Sequence, residues 1–359
     1  MGADHPECPA RIQAIEDQLI TSGLLPFLDR HEAPRATREE LARVHGIEFI
    51  KIDAEGEEAN ILKGGERFFA ELSPLVQYEI KASAGPHMEL VQGFAALGYE
   101  SYRLVLGLDL LVPFDAELPP DGFLLNLFCC KRDRAERLAA QGFLLDSAEY
   151  LSSTGAEQLK GLLEKGKKSN AYDWRHTIAK LPYGVQLSNL WEQTMAPGNS
   201  TEVDEALSFY ALSRNSSLSS TERFGALRAS FNLFKILCER QPSYLRLASL
   251  ARVARDYGAR TIAVGALIQL LKTVDQHNQV DPSEPFLAPG ERFDTVPPGE
   301  AIGNWVVGAV LEESERLTQF SSFYSGASAR QRLEIIRDLG FGSAEMGRRL
   351  RLLQKRFGL

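Results

Sequence analysis

The sequence predicts an α/β unit followed by an all-α domain, and three observations carry that prediction. Between residues 46 and 145, apolar runs of strand length alternate with short helical patterns, the signature of a mainly parallel sheet. From about residue 147 onward the periodicity is helical almost throughout. Five prolines crowd one interval, 278–300, and interrupt that pattern once. The chain has 359 residues, 44% hydrophobic and 25% charged, enough for about two domains with packed cores.

The elements follow in order. Pro9 and Ala10 lead into a helix with Ile12, Ile15, Leu19 and Ile20 on one face, and Gly23 suits its C-cap. A second short helix starts at Thr37, with Glu40 three residues on completing a capping box. Phe49-Ile50-Lys51-Ile52 reads as a strand ending at Asp53. A helix through Ala59, Ile61 and Leu62 follows and stops at Gly64-Gly65. The next strand covers 75–80, the next helix 88–97 with Gly98 closing it, and two further strands cover 99–105 and 123–131 across a proline-rich connection. In the helical part, Leu247, Leu250, Ala251, Ala254, Ala263, Leu267 and Leu270 fall at tetratricopeptide-like spacing, with 221–239 as a degenerate neighbour. The 278–300 stretch is expected to be a surface connection, with a lid over a groove as the sharper alternative. The last helix starts near Ser343. It places Met346, Leu350, Leu353 and Phe357 on one side and Arg348, Arg349, Arg351, Lys355 and Arg356 on the other. Its cations read as a solvated face, or as a docking surface for an anionic glycan or partner.

Composition removes several function classes. A net charge of −8 argues against a chain built to bind nucleic acid. The longest apolar runs, 104–114 and 123–130, fall short of the roughly 18 residues of a membrane span, and the first residues lack an apolar signal core. A cytoplasmic protein is expected. The four cysteines, Cys8, Cys129, Cys130 and Cys238, offer neither a disulfide framework nor a paired zinc motif. Strand alternation turns Cys129 and Cys130 to opposite faces. The His5–Cys8 spacing lacks a second pair and reads as a loop. No Ser-His-Asp arrangement and no G-x-S-x-G elbow occur.

Two family resemblances are visible. His5-Pro6-Glu7-Cys8-Pro9-Ala10-Arg11 through Val44-His45 resembles the start of histone-deacetylase-like amidohydrolases. Those enzymes bind zinc through a tandem-His, Asp-x-His and second-Asp set. This chain has no His-His pair, and its one Asp-x-His, at Asp275 and His277, ends a helix without the family's glycines. No metal site is expected. Phe49-Ile50-Lys51-Ile52-Asp53-Ala54-Glu55-Gly56-Glu57-Glu58, with Leu62-Lys63-Gly64 and the strand ending at Glu79, resembles the C-terminal half of FkbM-family methyltransferases. That likeness implies a partial Rossmann-like methyltransferase sheet, S-adenosylmethionine as cofactor, and a hydroxyl on a small molecule or glycan as acceptor.

By that resemblance, Asp53, Glu55 and Glu58 form the candidate catalytic set. Asp53 and Glu55 leave the carboxyl end of a strand, where they would orient an acceptor hydroxyl or take its proton. Glu58 in the first helical turn would complement the helix dipole. The same residues also suit a structural use, with Glu55 and Glu58 capping the helix and Asp53 closing the turn. Upstream of Asp53, Gly2, Gly23 and Gly46 are isolated and no Gly-x-Gly turn exists, so the cofactor-binding residues are unassigned and impaired activity is expected. The expected organisation is a deacetylase-like fragment over 1–45, a methyltransferase half over 46–145, a helical region over 146–277, a connection over 278–300 and C-terminal helices over 301–359. The join near residue 45 reads as a fusion or deletion. It leaves the Phe49 strand as an edge, with the 1–45 helix as its cover. Two rival readings stand beside the methyltransferase: a non-enzymatic helical-repeat module that binds a protein partner or glycan, and a zinc-dependent amidohydrolase.

Overall fold

In the computed structural model, Phe49–Ile52 (β1) and Leu75–Glu79 (β2) pair in parallel, with Phe49 opposite Leu75 and Ile52 opposite Tyr78. The structure describes residues 46–54, 56–82, 85–86, 88–152, 161, 163–164, 174–194, 201–276, 280–319 and 326–358. The expected N-terminal helices, the His5–Cys8 spacing, Glu55 and His277 lie outside them. Alternation along both strands turns Ile52, Val76 and Tyr78 into one core, while Lys51, Gln77 and Glu79 share the other face.

Three further strands complete the sheet: Glu100–Val105 (β5), Leu110–Pro113 (β6) and Asn126–Cys130 (β7). A two-stranded ribbon, Lys81–Ala82 (β3) and Gly85–Pro86 (β4), stands apart from it. The order is β1-β2-β7-β5-β6, with β7 antiparallel to both of its neighbours. So β1, β2 and β5 run together, but the sheet is mixed rather than mainly parallel. The apolar 104–114 run causes part of this. It breaks at Asp109, whose backbone is left-handed at φ 51°, and folds back as the β5–β6 hairpin.

Glu58–Gly64 (α1), Glu66–Glu71 (α2) and Met88–Ala96 (α3) all cover the same face of this sheet. Their Leu62, Phe69, Leu90, Val91 and Phe94 pack with Ile52, Val76, Tyr78, Leu127 and Cys129. Arg132–Ala140 (α4) covers the other face, with Ala135 against Tyr102, Leu111 and Cys130. The adjacent cysteines therefore do point to opposite sides.

After Ser147–Ser152 (α5), Trp174–Thr177 (α6) and Pro182–Thr194 (α7), the chain forms a run of consecutive packed helices. These are Thr201–Ser213 (α8), Ser220–Arg240 (α9), Tyr244–Tyr257 (α10), Arg260–Gln276 (α11), Ile302–Thr318 (α12), Arg330–Asp338 (α13) and Ala344–Phe357 (α14). From α8 to α14 each helix packs on the next in sequence. Ser219 and Glu222 form a reciprocal capping box on α9, and Gly258 closes α10 in the left-handed region at φ 92°. Buried Ala248, Ala251, Ala254 and Ala263 let α10 and α11 approach closely.

The described part of the proline-rich stretch holds no α-helix, only a short 3-10 turn at Glu291–Asp294, and it is not a surface connection. Phe286, Leu287, Ala288 and Phe293 are buried among Tyr183, Trp191 and Trp305. Helix side chains satisfy its backbone, which is what permits burial. Trp191 Nε1 donates to the Pro282 carbonyl at 2.9 Å and Thr194 Oγ1 to that of Ser283 at 2.6 Å. Ser249 Oγ accepts from the Leu287 amide at 3.0 Å. Arg252, buried, spans the Ala288 carbonyl and Asp294, the latter at 2.8 Å. In α14, Met346, Leu350 and Leu353 are buried as patterned, whereas Phe357 is exposed. Arg349 leaves the expected solvated face. It is buried against Glu315 and Glu345, at 3.4 and 2.7 Å.

Sheet and helices share one core. Val105, Leu108, Leu110 and Val112 of the hairpin pack with Phe224, Leu250 and Ala254. Arg103 Nη1 donates to the Tyr257 carbonyl at 2.7 Å and lies over that ring. Gly107 sits so tightly on α10 that a Cβ there would lie 2.5 Å from the Asp256 Cβ.

Candidate functional site

The candidate site lies at the carboxyl ends of β1 and β2. One step beyond the Ile52–Tyr78 pair, Asp53 and Glu79 leave adjacent parallel strands side by side. Lys51 points to the same side as Asp53, two residues on, and its Nζ lies 2.7 Å from Oδ2. The Lys51 contact holds the Asp53 carboxyl below its ordinary range; partial burial opposes it, and a hydrogen bond with Glu79 adds to the lowering. Asp53 is thus ionised at neutral pH and open to solvent, with 39% of its side chain exposed. Glu79 in turn faces Asn126 across the β2–β7 pair. The Asp53 carboxylate, with the Lys51 and Glu79 side chains beside it at one strand end, can hold a hydroxyl and receive its proton.

Glu58 is placed differently. It lies in the first turn of α1 but is only 3% exposed, and its carboxylate turns back onto the preceding loop. Oε1 accepts from the Ala54 amide at 2.8 Å and Oε2 from the Gly56 amide at 3.0 Å. The structure therefore brings Asp53 and Glu58 to two ends of one turn, in different roles. Glu55, between them, is outside the described residues.

Sequence reading did not single out Glu79 as a site residue. An acidic residue closing an apolar strand was the available signal, but only the parallel register shows that it meets Asp53.

The described residues do not by themselves form a cleft for S-adenosylmethionine. In open α/β sheets, ligands bind where successive crossovers go to opposite faces. Here α1, α2 and α3 cover one face, so the described strands contain no such point. Gly64 ends a helix and Gly65 caps it, so neither follows a strand. The amides of Ala54 and Gly56 are already engaged by Glu58.

The match to a known family falls on this same region. Residues 36–101 match the methyltransferase FkbM domain. The match takes in β1, α1, α2, β2, α3 and the start of β5, and so the whole Asp53–Glu79 corner. It lies in the N-terminal part of the chain, begins ahead of the expected join near residue 45, and ends short of residue 145. It supports a methyltransferase-type function. No curated protein and no solved structure matches the chain.

Among the described residues, no group of three His, Cys, Asp or Glu side chains is placed to hold a metal ion. No described helix is long and apolar enough to cross a membrane. A separate cleft of about 380 Å³ lies in the helical region, lined by Trp174, Arg175, Ala179, Ser188, Trp191 and Glu192.

Proposed function

We propose that the chain carries the acceptor side of an FkbM-type O-methyltransferase, whose cofactor is S-adenosylmethionine and whose acceptor is a hydroxyl on a small molecule or glycan. The observation that supports this most is Asp53: ionised, solvent-facing, at the end of a parallel strand inside the matched stretch. Asp53 would orient the acceptor hydroxyl and take its proton, Glu55 would help to place it, and Lys51 keeps Asp53 charged. Residues 46–145 form this half, 146–277 a tetratricopeptide-like scaffold and 301–359 the closing helices. A cytoplasmic setting fits a cysteine pattern that offers no disulfide framework. Turnover by this chain is expected to be weak or absent, because the sequence ahead of Asp53 holds no Gly-x-Gly turn for the cofactor.

Calorimetric titration of the folded chain with S-adenosylhomocysteine, alongside Asp53→Ala, tests this. No micromolar binding is the expected result. Micromolar binding together with methylation that Asp53→Ala abolishes would overturn the impairment and keep the assignment of Asp53. Methylation indifferent to Asp53→Ala would overturn that assignment.

A second reading, a helical module that binds a glycan or protein partner without catalysis, is favoured by the Trp174–Trp191 cleft. Its test belongs on the whole chain, since the helices share their core with the β5–β6 hairpin. Glycan or peptide binding that Arg175→Ala weakens and Asp53→Ala leaves alone would support it.

A further inference from the structure

A buried carboxylate in the first turn of a helix has three possible uses: complementing the helix dipole, exchanging protons, or fixing nearby backbone. The positions of the Glu58 oxygens decide among them. Both are spent on amides of the preceding loop, Ala54 at 2.8 Å and Gly56 at 3.0 Å, and the residue is only 3% exposed. Glu57, at the helix N-cap, makes no side-chain cap of its own. The loop between Asp53 and α1 is a tight one. The Glu57 amide donates to the Ala54 carbonyl at 3.2 Å, and Gly56 adopts φ 99°, a conformation that L side chains rarely take. The first amide that Glu58 holds belongs to the residue directly after Asp53.

We infer that Glu58 is a positioning residue, which clasps the 54–56 turn and thereby sets the direction in which Asp53 leaves β1 and meets Lys51. This rests on the reading of Asp53 as the group that holds the acceptor. The two oxygens of a carboxylate can accept from two amides at once; glutamine offers one acceptor and turns an NH₂ toward the second amide. Glu58→Gln therefore breaks the clasp with almost no change in volume.

The test is made on the full chain, by amide exchange at Ala54 and Gly56 and by NMR titration of the Asp53 carboxyl. In Glu58→Gln the two amides should exchange about tenfold faster, and the Asp53 midpoint should move up toward the ordinary carboxylate range. The direction is diagnostic. Removing a nearby negative charge would by itself move Asp53 down, so a rise reports lost pairing with Lys51. Gly56→Ala, which strains the same turn from the backbone side, should raise the midpoint too and serves if Glu58→Gln fails to fold. Faster exchange with an unmoved or lowered Asp53 midpoint would reduce Glu58 to a local clasp and overturn the positioning role; unchanged exchange would overturn the clasp as well. Neither readout depends on methyl transfer, so failure of the functional reading leaves this result intact.

Discussion

The two edges of the described sheet differ. At the β6 edge the chain covers itself: the Leu111 amide donates to the Phe143 carbonyl and the Leu145 amide to the Leu111 carbonyl, both at 2.9 Å, and Pro113 ends the strand. Leu110 and Val112 then enter the helical core. At the β1 edge, no described strand lies outside Phe49, which is 51% exposed. Bare edges invite pairing with other chains. Among the described strands, the difference separates an edge built into the helical core from one that is not. The β6 edge is a structural joint, and β1, the outermost described strand on the other side, ends in Asp53.

Substitutions can break that contrast or sharpen it. Leu110→Ala, at the joint, should cost roughly 2–5 kcal/mol in denaturant melts, because it empties a fully packed position. Gly107→Ala should cost about 1–3 kcal/mol, since its methyl group would meet Asp256 on a neighbouring helix. At the β1 edge, Phe49→Lys should change stability by only about 0.5 kcal/mol while reducing concentration-dependent light scattering. A large loss of stability there would mean that another part of the chain covers this edge.

The smallest effect is expected for Asp53→Asn, a few tenths of a kcal/mol at neutral pH, because its ion pair is substantially exposed. Its sign with pH is fixed. The folded carboxyl titrates below the unfolded one, so its contribution is present above the unfolded value, roughly pH 4, and is lost as pH falls through the folded one. Urea melts of wild type and Asp53→Asn should therefore converge on acidification. Divergence would contradict the Lys51–Asp53 pairing.

How much of this was legible in the sequence depended on how local the cause was. The switch from alternating strands to helices, the opposite facing of Cys129 and Cys130, and Asp53 at a strand end all follow from periodicity within a few residues. Glu79 was not legible as a site residue, because its partner is set by the register of two strands joined through two helices. The use of Glu58 was half legible: its place in the first turn was readable, but the direction of its carboxylate was not. Arg349 read as a solvent-facing cation, because a helical stripe cannot show that Glu315 waits on another helix. The burial of the proline-rich stretch escaped for a related reason, as its hydrogen-bond partners lie on α7 and α10.

That buried strap has a consequence for the order of folding. Neighbours such as α10 and α11 meet within one helical hairpin, so their contacts close only short loops. The strap joins Thr194 to Ser283 and Tyr183 to Ala288, across 89 and 105 residues. The entropy of closing so long a loop must be spent before its burial gives anything back. The strap is therefore expected to lock after the local helix pairs have formed.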